Sequence, residues 1–198
     1  MVASTFSLAR MRSVWELVAG RFSAYQLTLP GSPAFICQPH TCDAQCCRRF
    51  SVNLGQADVD RFAKSSGLQL IDFLECEDGE PIALPIAQPY LLARAGGACK
   101  QLGSDLGCGQ YEGRPNACRL YPHFILFIDP ETARPVHGDE TGMARSYELT
   151  VSGGEPAPYV PLLLRHVDCP GFTGAPMSEA GWAALFADTY LLQYPDLA

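Results

Sequence analysis

Cys37-Gln38-Pro39-His40-Thr41-Cys42-Asp43-Ala44-Gln45-Cys46-Cys47 places four of the chain's nine cysteines within eleven residues, the last two adjacent. Consecutive Cα atoms lie ~3.8 Å apart across a trans peptide, whereas disulfides span ~4.4–6.8 Å. A Cys46–Cys47 bridge is therefore disfavoured. Side chains of consecutive residues diverge in helix and strand alike. The spacing thus predicts that Cys46 and Cys47 point apart, serving two ligand sets or one metal and its surroundings. Buried free thiols are the plainer alternative, because Cys packs as a small hydrophobe. Four of them in so short a loop exceed what packing needs.

Outward from this loop, the remaining cysteines are Cys76, Cys99, Cys108, Cys118 and Cys169. Cys76 stands apart in the acidic run Glu75-Cys76-Glu77-Asp78. Arg48 and Arg49 follow Cys46 and Cys47, while Arg114 and Arg119 flank Cys118. Cations beside thiols lower their pKa and offset the charge of a thiolate-rich site. The four arginines are expected to act around such a site rather than as solvated surface charge.

Composition bounds the reading. Of 198 residues, 47% are hydrophobic and 18% charged, which describes a globular chain able to bury a core. A net charge of −7 argues against nucleic-acid partners and anionic membrane surfaces. No apolar run approaches the ~20 residues of a membrane helix, and the first residues read as a helix rather than a secretory signal. The expected compartment is the reducing cytoplasm, where clustered cysteines point to metal before disulfides. Sixteen prolines and eighteen glycines imply a loop-rich chain, for which a metal staple would be apt.

Apolar periodicity predicts a helix over Ser4–Phe22 stopping near Gly20, and a strand at Phe50–Leu54. It predicts a second helix over Gly55–Ser66 capped by Gly67, and a helical turn at Leu70–Glu75. Strand-like runs follow at Ile82–Ile86, Tyr90–Ala93 and Cys99–Leu102. His123–Asp129 is the clearest strand. Pro130–Gly142 and Gly153–Pro161 read as loops, and Tyr147–Val151 as a strand. Ser178 caps a final helix running to Gln193. With no regular β-α alternation, the expected fold is α+β. It is a single domain over residues 1–198, with a cysteine core at 35–171 and flanking helices at 1–22 and 178–193.

The middle of the chain carries a longer pattern: Cys99 to Leu102, then Cys108, Tyr111, Arg114, Pro115, Cys118, Arg119, Tyr121 and Pro122. With Cys42, Cys46 and Cys47 before it and Cys169 and Gly171 after it, this resembles the YkgJ-type cysteine-cluster family of zinc- or iron-chelating domains. The resemblance spans roughly residues 35–171. It implies a metal or iron–sulfur site with Cys37, Cys42, Cys46, Cys47, Cys99, Cys108, Cys118 and Cys169 as ligands. Those eight would fill two four-coordinate sites, or one cluster with a surplus around it. The chain departs from the pattern in the Cys37–Cys42 spacing, in His123 where an apolar residue is usual, and in Cys76, which has no counterpart.

One branch of the resemblance leads to flagellin lysine methylases, which use S-adenosylmethionine and would make this chain an enzyme. Neither a Cys-x3-Cys-x2-Cys run nor a glycine-rich nucleotide motif supports that alternative, since Arg49 stands where the third cysteine would be. Structural zinc favours paired cysteine knuckles. A dense loop plus singly placed Cys99, Cys108 and Cys118 instead fits an iron–sulfur cluster gathered from several loops. Zinc is the alternative metal, and His40 an alternative ligand within the first loop. His123, His137 and His166 read as ordinary polar residues.

Overall fold

The computed structural model describes residues 7–154 and 157–195. Its backbone falls into two compact units, Cys37–Tyr121 and the discontinuous pair Met1–Ile36 with Pro122–Ala198. Helices and short antiparallel strands are mixed throughout, giving the α+β class expected from the sequence. None of the described helices is long and apolar enough to cross a membrane.

The discontinuous unit is built on a four-stranded antiparallel sheet. Its order is Tyr25–Leu27, Val160–His166, His123–Asp129 and Arg134–Pro135. Register sets Leu163 opposite Ile125, and Arg165 opposite both His123 and Gln26. Helices Leu8–Val18, Glu140–Ser152 and Glu179–Gln193 pack on the two central strands. Met11, Val14, Ile125, Phe127, Leu162, Leu164, Trp182, Phe186 and Tyr190 form the core. Each large apolar side chain so buried contributes ~1.5–3 kcal/mol. The Gln193 amide accepts from the Ile125 N–H at 2.7 Å and donates to its carbonyl at 2.8 Å. It thereby pairs backbone groups that the short Arg134–Pro135 strand does not reach.

The first helix is shorter than its pattern, Leu8–Val18, and Leu17 points outward at 67% exposure. Phe6 lies outside the described residues. His123–Asp129 and the closing helix, with Ser178 accepting from the Gly181 N–H, stand where expected. Tyr147–Val151 is a correction: it belongs to the helix Glu140–Ser152. Asp139 caps that helix by accepting from the Gly142 N–H, and Gly153 ends it at φ 75°. The two caps decide the segment over a short alternating pattern. Val160–His166 adds a central strand that overlaps the end of the expected loop. Its first five residues are all buried, so it lacks the alternation of a half-exposed strand.

In Cys37–Tyr121 the helix Gln56–Ser66 buries Val59 and Phe62 and ends on Gly67 at φ 70°. A capped turn, Leu70–Phe73, follows. Phe62 stacks on Phe73 at 4.4 Å, and Leu54, Leu74 and Leu92 complete a small core. The strands here shrink to two-residue ladders. Asn53–Leu54 pairs with Tyr90–Leu91, Cys76–Glu77 with Glu80–Pro81, and Arg94–Ala95 with Ala98–Cys99. Ile82–Ile86 is not a strand, and Ile86 is 54% exposed. Pro81, Pro85 and Pro89 remove the donors a ladder would need.

Candidate metal centre

Three segments of Cys37–Tyr121 bring thiols together, and each is fixed by a different local device. In the first, Pro39–Cys42 and Gln45–Arg49 are two short helical turns joined by Asp43 and Ala44, both left-handed at φ 50°. That conformation costs an L-residue roughly 1–2 kcal/mol. Here it reverses the chain, with the Ala44 N–H donating to the Pro39 carbonyl and the Cys47 N–H to the Ala44 carbonyl, each at 2.9 Å. Burial of the Ala44 methyl helps to hold the turn. Cys46 and Cys47 open the second helical turn.

Arg94 anchors this segment from outside. Its guanidinium donates to the carbonyls of Cys47 at 3.5 Å, Phe50 at 2.5 Å, Gly97 at 2.6 Å, and also Arg48. Carbonyls at the end of a helix have no intrahelical donor, and Arg94 supplies one. Because Gly97 sits in the turn before Cys99, one side chain ties the first cysteine loop to the second.

The second segment runs from Cys99 to Cys108. Leu102 and Cys108 form an isolated antiparallel bridge, and the Gly109 N–H donates to the Gln101 carbonyl at 2.8 Å. Between them Asp105 accepts from the Gly107 N–H at 2.9 Å, closing the turn. The third segment, Asn116–Leu120, carries Cys118. Its first N–H, that of Asn116, donates to the buried Asp58 carboxylate at 2.9 Å. Arg61 joins the same group, pairing with Asp58 and donating to the Arg114 carbonyl at 3.1 Å and the Asn116 Oδ1 at 2.8 Å.

The electrostatics couple five cysteines. Cys47 hydrogen-bonds Cys46, which lowers the Cys46 pKa to about 6 and raises that of Cys47. This corrects the expectation that the two side chains point apart. Neighbouring helix positions are only ~100° apart around the axis, close enough for two thiols to meet. Burial pushes Cys118 up to about 12, with repulsion from Cys99, Cys108 and Cys46 adding to it. Burial also raises Cys99, with Cys108 and Cys46 contributing and Arg94 opposing.

Of the flanking arginines, Arg114 stacks on Tyr111 at 3.7 Å, and its charge favours the thiolates of Cys46 and Cys118. Arg48 instead pairs with Asp43 at 3.2 Å. Cys42 donates within its own turn, to the Gln38 carbonyl at 3.6 Å. Cys37 and His40 are exposed. Cys76 sits in its own hairpin and donates to the Leu74 carbonyl at 3.5 Å. Cys169 belongs to the other unit, where its N–H donates to the His166 carbonyl at 3.3 Å.

Among the described residues, no three His, Cys, Asp or Glu side chains are arranged as a closed metal cage. The donors themselves suit soft-ligand metals: five part-buried thiols on three short segments, with a cation beside them. Sequence reasoning missed Arg94, Asp58 and Arg61 as supports for the cysteines. The one signal in the sequence that could have pointed to them is the Asp58–Arg61 spacing on one helix face.

Such a set defines a cysteine-rich metal-chelating protein. The family model CxxCxxCC, described as "Putative zinc- or iron-chelating domain", matches residues 36–144, and the chain belongs to that family. No curated protein and no solved structure matches it.

Proposed function

We propose that Cys46, Cys47, Cys99, Cys108 and Cys118 supply the core of an iron–sulfur site. Cys37, Cys42 and Cys169 are further donors implied by the cysteine pattern. The observation that supports this is the mutual electrostatic influence of five thiols drawn from three separate segments. Paired knuckles, the usual source of zinc ligands, are not how these thiols are delivered. Single cysteines on short loops suit a larger multi-iron core. A bound cluster would supply one-electron chemistry. The chain's own part is to deliver thiolates, balance their charge with Arg94 and Arg114, and part-bury them. The role that follows is redox chemistry or metal handling in the cytoplasm.

Anaerobic purification followed by iron, zinc and acid-labile sulfide analysis tests this reading. Iron with equimolar sulfide is expected, falling sharply in Cys47→Ser and Cys118→Ser and unchanged in Cys76→Ser. Zinc alone would overturn the iron–sulfur assignment, and full metal content in Cys118→Ser would remove that residue from the site.

A further inference from the structure

In the unit formed by Met1–Ile36 and Pro122–Ala198, two buried polar atoms have no hydrogen-bond partner among the described residues and belong to directly opposed residues. They are His123 Nε2 and Arg165 Nη1. Opposed residues on one face of an antiparallel pair hold their Cβ atoms ~4.5–5.5 Å apart, so the two atoms serve one locality. His123 is only 7% exposed. The rest of the Arg165 fork is occupied, since Nε and Nη2 both donate to Gln26 Oε1, at 3.2 and 2.8 Å. Nη1 is left on the side away from that amide. Phe172 lies under the guanidinium at 4.4 Å, and the His123 ring meets Phe172 and Phe35 edge to face at 5.4 and 6.2 Å.

We propose that His123 and Arg165 form a two-point binding site for one small carboxylate, walled by Phe35 and Phe172. An unpaired buried donor is destabilising, and one ligand with two oxygens would satisfy both. A neutral imidazole can carry its proton on Nε2. Both residues then present N–H groups, which a carboxylate accepts.

Charge favours an anion over a bridging water. Among the described residues the only acceptor paired with Arg165 is a neutral amide, and no ion pair involves this cation. Half-buried cations are usually compensated by an acidic partner. The close aromatic walls select for small size. Phe172 is held over the pair by the 168–174 loop, where the Ile36 N–H donates to the Gly171 carbonyl at 2.7 Å. Phe35 packs so closely there that a Cβ on Gly171 would lie 2.5 Å from its ring.

The test is thermal unfolding of the full chain, as purified, in sodium acetate against sodium chloride and sulfate at equal ionic strength. Acetate at ten times its Kd is expected to raise Tm by roughly 3–5 °C. That rise should saturate and should vanish in His123→Phe and Arg165→Met. Should either variant fail to fold, the His123 ring-nitrogen NMR signals of the wild type decide, and saturable movement with acetate is expected. Equal stabilisation by sulfate, persistence of the acetate effect in folded variants, or unmoved His123 signals would overturn the proposal.

Discussion

The Asp58 carboxylate accepts the Asn116 N–H at 2.9 Å, so a side chain on the Gln56–Ser66 helix fixes the start of the turn that carries Cys118. Asp58 also pairs with Arg61, whose guanidinium reaches the Arg114 carbonyl. Asp58→Ala would take this acceptor from the part-buried Asn116 N–H and the ion-pair partner from Arg61. We expect a loss of about 2–4 kcal/mol, because removing one partner of a buried pair costs more than the pair contributes. Denaturant unfolding measures it, and metal content should fall alongside. A loss below about 1 kcal/mol with full metal would show that Asp58 does not position Cys118.

Arg94 offers a second lever, because its donors reach carbonyls of Cys47, Arg48, Phe50 and Gly97. Lysine keeps the charge but replaces the planar fork with a single ammonium. Arg94→Lys should therefore lose metal retention against a chelator, though the charge near Cys99 remains. If Arg94 acted through charge alone, Arg94→Lys would retain metal like the wild type while Arg94→Met would not. Competition with a chromogenic chelator separates the two cases.

His123 gives a pH signature. Burial first, and the Arg165 charge second, depress its pKa from 6.5 to about 4. Between those values the unfolded chain binds a proton that the folded chain refuses, so stability falls as pH drops through this window. The full loss approaches about 3 kcal/mol by pH 4. Urea unfolding in chloride, free of carboxylate buffers, should show this slope in the wild type. His123→Phe should flatten it. Equal slopes in both proteins would mean that His123 is protonated in the folded state.

Much of this molecule is legible in its sequence wherever a local signal decides. Gly67 stops its helix because a left-handed C-cap admits glycine, and Ser178 starts another because its hydroxyl reaches the Gly181 N–H. His123–Asp129 is announced by its β-favouring residues. The signals fail where distant residues decide. Tyr147–Val151 alternates like a strand, yet Asp139 and Gly153, outside that window, make it helical. Val160–His166 reads poorly because a strand buried on both faces shows no period. At the candidate metal centre the cysteine spacing announces the candidate donors. It says nothing of Arg94 and Asp58, which lie 47 and 58 residues from the backbone groups they hold, Cys47 and Asn116.

Gly113 tests how tightly the loop between Cys108 and Cys118 must lie on its supporting helix. A Cβ at this position would stand 2.7 Å from Ser65 Cβ and 2.9 Å from its Oγ. Ser65 Cβ is fixed to the Gln56–Ser66 helix and cannot swing away, so alanine must lift the loop. Overpacking of this kind costs roughly 1–3 kcal/mol. Gly113→Ala should lose about that much stability in urea and bind metal less well. The clash, rather than backbone freedom, is the cause if removing the opposing atom restores the fit. Ser65→Gly alone should cost up to about 1 kcal/mol, the usual penalty for glycine in a helix. The double variant should be more stable than the sum of the two losses predicts, by at least about 1 kcal/mol. Strict additivity would show that the loop does not rest on Ser65.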